Sequence, residues 1–161
     1  MEDAATIEAQ LGRPPRGAAR VAVRCPHGRP AVVEQDSYLG DGEPFPTTYY
    51  LTCPHAVSQI DRLEAEGGVD RYERLLDEDA ALRSSYVAAS QRQRTLRRLA
   101  AEMADSGASL QLGIAGVARD GAVKCLHAHA AFALAEPGYA LGMRVLAEAE
   151  PVFPEDRCCC G

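Results

Sequence analysis

The apolar positions change character about a third of the way along the chain. Up to residue 52 they suit strands, and beyond it they recur at helical spacing. A short helix is predicted first, over residues 4–11. Gly12 and the Arg13-Pro14-Pro15-Arg16-Gly17 stretch end it, since proline blocks continuation and glycine permits a left-handed exit. Arg20-Val21-Ala22-Val23-Arg24 and the β-branched Ala31-Val32-Val33-Glu34 flank Cys25-Pro26-His27-Gly28-Arg29-Pro30, which has turn chemistry, so a β-hairpin is expected. A polar loop from Asp36 to Glu43 and Pro44-Phe45-Pro46 lead to a third strand at Thr47-Thr48-Tyr49-Tyr50-Leu51-Thr52.

Val57, Ile60 and Leu63 then mark a helix from near Cys53-Pro54 to Gly67-Gly68, with proline suited to the first helical position. Val69, Tyr72, Leu75 and Leu76 form a second short face. From Asp79, Leu82, Tyr86, Ala89, Leu96, Ala100 and Met103 follow steps of three and four, interrupted only by Gln93. The polar side of this long helix is read as holding Arg92, Arg94, Arg97 and Arg98. Ser106 to Gly121 reads as a partly buried glycine-rich loop, Ala122 to Ala135 as another helix, and Met143 to Glu148 as a last short one. Strands early and helices late define an α+β fold: a small antiparallel sheet from residues 19–52 covered by helices from 54–104 and 122–148. Residues 1–150 are expected to form a single domain, followed by a flexible cysteine-rich tail over 151–161.

Composition narrows the function classes. The 161 residues carry a net charge of −6, which speaks against a nucleic-acid binder with a wholly basic surface. No apolar run reaches the length of a membrane span, and the acidic Met1-Glu2-Asp3-Ala4 start is unlike a signal peptide, so a cytoplasmic protein is expected. Among its 17 basic residues only Lys124 is a lysine, in an alanine-heavy chain; this has the look of codon bias in a GC-rich genome.

The six cysteines are placed unevenly. Cys25, Cys53 and Cys125 are isolated, whereas Cys158, Cys159 and Cys160 are adjacent, which is no secreted disulfide framework. Cys-Pro-His occurs at 25–27 and again at 53–55, and Cys125-Leu126-His127-Ala128-His129 holds the other two histidines, so every histidine lies within four residues of an isolated cysteine. Thiolate and imidazole are ligands that zinc prefers. A shared site of Cys25, Cys53 and Cys125 is therefore expected, with His127 or His129 beside it. On a regular helix Cys125 and His129 share a face; in a non-helical first turn His127 becomes available instead. A reactive thiol is the other chemistry such a site allows, Cys53 at a helix start with His55 nearby being one form of it. Lys124 after the glycine loop and the arginines of residues 92–98 are candidate anion contacts. The loop lacks both the P-loop ending and the dinucleotide-binding glycine pattern.

Leu11-Gly12-Arg13-Pro14-Pro15-Arg16-Gly17, Arg24-Cys25-Pro26-His27-Gly28-Arg29-Pro30, Pro44 to Pro54, Arg62-Leu63-Glu64 and Val123-Lys124-Cys125-Leu126-His127 together resemble the bacterial family called domain of unknown function 501. The resemblance covers roughly residues 5–146. It implies no established activity, but the neighbourhood of such genes suggests a link to cell division or polyphosphate metabolism. It also favours His127 over His129, because the first histidine of that motif is the regular one. Tyr139-Ala140-Leu141-Gly142 departs from the family's Asn-Pro-Leu-Gly. Two functions compete: a protein with a Cys/His site that binds zinc or acts through a thiol, and a non-enzymatic module presenting an arginine-rich helix face to a protein or anionic partner.

Overall fold

The computed structural model describes residues 2–100, 107 and 109–160. Strand β1 (Ala19–Arg24) pairs antiparallel with β2 (Pro30–Gln35), and β2 with β3 (Tyr49–Leu51), in the order β1-β2-β3. The hairpin turn is closed by Cys25 N–H donating to Arg29 O and Gly28 N–H donating to Cys25 O, both 2.9 Å, with Gly28 at φ +80°. Val21 faces Val33 and Val32 faces Leu51 across the ladders. As the central strand β2 is covered on both faces, which explains its unbroken Ala31-Val32-Val33 run, each fully buried. Helix α1 (Glu2–Leu11) lies against β2 and buries Ile7.

Five further helices follow among the described residues: α2 (Pro54–Ala65), α3 (Gly68–Glu78), α4 (Ala80–Leu99), α5 (Leu126–Ala135) and α6 (Ala140–Glu148). Pro54 takes the first turn of α2, and Asp79 caps α4 by accepting from Leu82 N–H at 2.9 Å. The α+β class expected from the sequence is thus the observed one. Met103, the last position of the predicted helical period, lies outside the described residues.

Helix α5 sits at the centre. Its sequence LHAHAAFALA has no polar face, and it packs on α2, α6 and the sheet. Phe132 meets Tyr49 and Tyr139 edge-on, at centroid distances of 5.6 and 5.7 Å. Where α6 crosses α5, a Cβ on Gly142 would lie 2.4 Å from His129 O and 2.5 Å from the Ala133 Cβ, so glycine alone permits the approach.

Two readings need correction. Arg97, assigned to the polar side of α4, is only 1% exposed: it stands one turn beyond Gln93 on the buried face. Its guanidinium donates to the carbonyls of Ser37 and Phe45, while Gln93 donates to Thr48 Oγ1 at 2.8 Å. Polar groups occupy this stripe because the 36–48 loop beneath it offers carbonyls that must be satisfied. The helix predicted from Ala122 begins only at Leu126, since Cys125 N–H turns back to Val123 O at 2.6 Å with Lys124 at φ +63°.

Residues beyond 150 fold back onto the molecule. Val152 is buried, Phe153 packs on the core, His55 Nε2 lies 2.8 Å from Pro151 O, and His27 Nε2 lies 2.8 Å from Pro154 O.

The Gly142 contact gives a first prediction. Alanine there gains up to about 1 kcal/mol in helix propensity but overpacks against backbone, which costs about 1–3 kcal/mol. Gly142→Ala should therefore lower the urea unfolding midpoint, and an unchanged or raised midpoint would show that α6 can slide on α5.

Candidate functional site

Cys125 has extended φ and ψ (−150°, 115°) as the residue before α5, so its side chain lies outside the helical register and on the side of His127 rather than His129. Two carboxylates from α2 face His127. Glu64 Oε1 accepts from Leu126 N–H at 2.6 Å, filling one unpaired donor of the α5 start, and lies 3.2 Å from His127 Nδ1. The same Nδ1 is 3.7 Å from Cys125 Sγ. On the far side of the ring, Nε2 lies 3.0 Å from Asp61 Oδ1 and 3.3 Å from Val57 O. Val57, Asp61 and Glu64 form one stripe of α2 at helical spacing.

Burial alone would lower the His127 pKa, but the bond and charge of Cys125, with the charges of Glu64 and Asp61, outweigh it and raise the value to about 9. The site therefore attracts positive charge. Glu64, Cys125 and His127 could together hold a metal ion: one ligand atom from each lies within 4.8 Å of the others, the one such group of three among the described residues. Cys125 and His127 line a cavity of about 400 Å³ whose other walls include Tyr49, Tyr50 and Leu51 of β3, Val57 of α2, and Lys124.

The other candidates lie elsewhere. Cys25 and Cys53 are buried and take no part in the Glu64-Cys125-His127 group. Cys53 precedes α2, whereas Glu64 is at the far end of that 12-residue helix, about 16 Å further along at the helical rise. The nearest sulfur to Cys53 is that of Cys159, at 3.7 Å. His129 is fully buried, with Nε2 donating to Val123 O at 2.9 Å and Nδ1 accepting from the Tyr139 hydroxyl at 2.7 Å, so neither nitrogen is open to a ligand. Arg92 pairs with Glu136 at 3.2 Å and Arg94 with Asp120 at 3.1 Å, ties within the molecule, while Arg98 is exposed.

Glu64 and Asp61 were not singled out by the cysteine and histidine pattern. Glu64 stands in the Arg62-Leu63-Glu64 motif of the resemblance without a role attached to it, and the further signal was spacing: two acids three apart, one turn beyond Val57, on the stripe of an amphipathic helix adjoining its apolar face.

This geometry defines an α+β protein with a Glu/Cys/His cluster where its central helix begins. Residues 21–147 match the family model described as "Protein of unknown function (DUF501)", and the chain belongs to that family. No curated protein and no solved structure matches it. No helix among the described residues is long and apolar enough to cross a membrane.

His129 supplies a prediction with a definite sign. Burial lowers its pKa to about 4, well below the usual value of 6.5, so the unfolded chain binds the proton more tightly than the native one. The stability this contributes is complete above pH 6.5 and is lost as pH falls towards 4, on the order of 3 kcal/mol across the window. Urea unfolding followed from pH 7 to 4.5 should show this loss, and His129→Gln should flatten it. Equal slopes in the two proteins would refute the assignment.

Proposed function

We propose that Glu64, Cys125 and His127 hold a zinc ion whose remaining position faces the cavity, making the protein a metal-dependent enzyme for a small substrate. One observation carries this reading: the spacing of the donor atoms. Bonds of about 2.3 Å to sulfur and about 2.1 Å to nitrogen and oxygen, at tetrahedral angles, give S···N edges near 3.6 Å and N···O edges near 3.4 Å. Cys125 Sγ and His127 Nδ1 are 3.7 Å apart, and His127 Nδ1 and Glu64 Oε1 are 3.2 Å apart. Direct charge-assisted hydrogen bonds between nitrogen and oxygen are shorter, about 2.7–2.9 Å.

The surroundings agree with a metal. A ligating histidine normally donates its second N–H to a carboxylate or a carbonyl; Nε2 of His127 has both, in Asp61 and Val57 O. The anionic groups that hold a proton on His127 up to about pH 9 also attract a cation, which displaces that proton. Three protein ligands with an open position are the arrangement of catalytic rather than structural zinc. When bound, such an ion polarises a carbonyl or phosphoryl group and activates water, so hydrolysis of a small substrate is the reaction class that fits. Asp61 is a positioning residue: it orients the imidazole and does not itself reach the metal.

Elemental analysis of the purified full chain tests this. One zinc per chain is expected in the wild type and in Cys53→Ser, and loss of zinc in Cys125→Ser and His127→Gln. Asp61→Asn should keep the fold but weaken zinc about 10–100-fold. A chain that stays metal-free even after incubation with zinc salts, yet whose Cys125 is alkylated by iodoacetamide well ahead of the other thiols, would overturn the metal reading and assign the cavity to thiol chemistry.

A further inference from the structure

The reading of this cavity as a substrate site raises the question of what it takes. We infer that it binds a small organic anion, with the acidic head held by Lys124 and an apolar body resting against Tyr50, Leu51 and Val57.

The first argument is conformational. Among the described residues only two that are not glycine adopt left-handed backbone, Ala115 at φ +62° and Lys124 at φ +63°, and both line this cavity. Lys124 is the centre of a three-residue turn closed by Cys125 N–H on Val123 O at 2.6 Å. An L-residue is strained there, and glycine would not be. The turn persists because its surroundings over-determine it. Val123 N–H donates to Glu73 Oε1 at 2.9 Å, Val123 O also accepts from His129 Nε2 at 2.9 Å, and Leu126 N–H is held by Glu64. Strain kept in place from several sides at a cavity wall is a mark of function, and what it fixes here is the start of the Lys124 side chain beside Cys125.

The second argument is chemical. In a chain that writes 16 of its 17 basic residues as arginine, lysine stands at this one position. Its ammonium is a compact point charge on a flexible stem, suited to an anionic group at a cavity mouth. No ion pair among the described residues includes Lys124; the carboxylates of Asp61 and Glu64 are directed at His127 and that of Glu73 accepts from Val123 N–H. The wall formed by Leu51, Val57 and Ala128 offers no charge to a ligand. At about 400 Å³ the cavity admits a small molecule rather than a polymer segment. A carboxylate and a phosphate monoester share the required chemistry.

The test uses the zinc-loaded full chain with three probes of one shape: phenylacetate, phenyl phosphate and the uncharged phenylacetamide. Ligand-observed NMR and calorimetry should show at least one anion binding 10-fold or more tighter than the amide, and whichever anion is preferred identifies the head group. Lys124→Met should lose that advantage without changing amide binding, and Lys124→Arg should retain most of it. Lys124→Gly should unfold at a higher temperature than the wild type while losing the anion preference. That opposite pair of changes would not come from a merely structural lysine. Equal binding of anions and amide, or an anion preference unaffected in Lys124→Met, overturns the inference. Zinc content measured on the same samples separates the two readings. Lys124-dependent anion binding by a chain that takes up no zinc leaves this inference standing and removes the metal. A zinc-loaded chain indifferent to Lys124 does the reverse.

Discussion

A helix without a polar face has to be surrounded, and most of this fold is the means of surrounding α5. Ala130, Ala131, Phe132 and Ala133 are all buried, two of them completely. The sheet covers one side, α6 approaches closely over Gly142, and α2 closes another. Small residues make this possible, since alanine lets neighbouring backbones come near while adding little side-chain entropy cost. The imidazole enclosed on α5 is paired: His129 is held between Tyr139 and Val123 O, its ring stacked 6.2 Å from that of Tyr86, whose hydroxyl donates to Ala122 O. Unpaired, any of these would destabilise the interior by about 1–3 kcal/mol.

Burial of the helix body puts a demand on its first turn. The opening N–H groups of α5 have no partner within the helix. Glu64 answers by accepting from Leu126, and Glu73 accepts from Val123 just upstream, so acids on α2 and α3 complete the start of α5. An acid near a helix N-terminus is also favoured by the helix dipole. The same Glu64 oxygen then lies beside His127, so the group that completes the helix also completes the candidate site. Structure and site share an atom there, and neither can be altered alone.

Much of the architecture was legible because it rests on local patterns. The hairpin around Gly28, the proline start of α2 and the periods of α2 to α4 follow from short-range chemistry that a neighbour does not override. What was not legible depended on partners distant in sequence. Arg97 looks solvent-facing until the carbonyls of Ser37 and Phe45 are seen beneath it. Which histidine lies beside Cys125 turned on whether Cys125 is helical, and its extended backbone after the strained turn at Lys124 leaves His127 there. Helical spacing favoured His129 because it assumed a helix that had not yet begun.

The three Cys-x-His sequences show most directly what turns a spacing into a site. At 25–27 and 53–55 the cysteine is buried, the proline begins a turn or a helix, and the histidine reaches a carbonyl of the C-terminal segment: Pro154 for His27 and Pro151 for His55, each at 2.8 Å. These histidines fasten that segment against the sheet end and α2, and the repetition is one of packing. At 125–127 the residue types and their separation are the same, but the imidazole meets Glu64 on one side and Asp61 on the other, both supplied by α2. A carbonyl offers the ring one fixed hydrogen bond; two carboxylates and a sulfur surround it with negative charge that a proton or a metal can neutralise. The distinction thus resides in the acidic stripe of α2, and cysteine and histidine spacing by itself is blind to it.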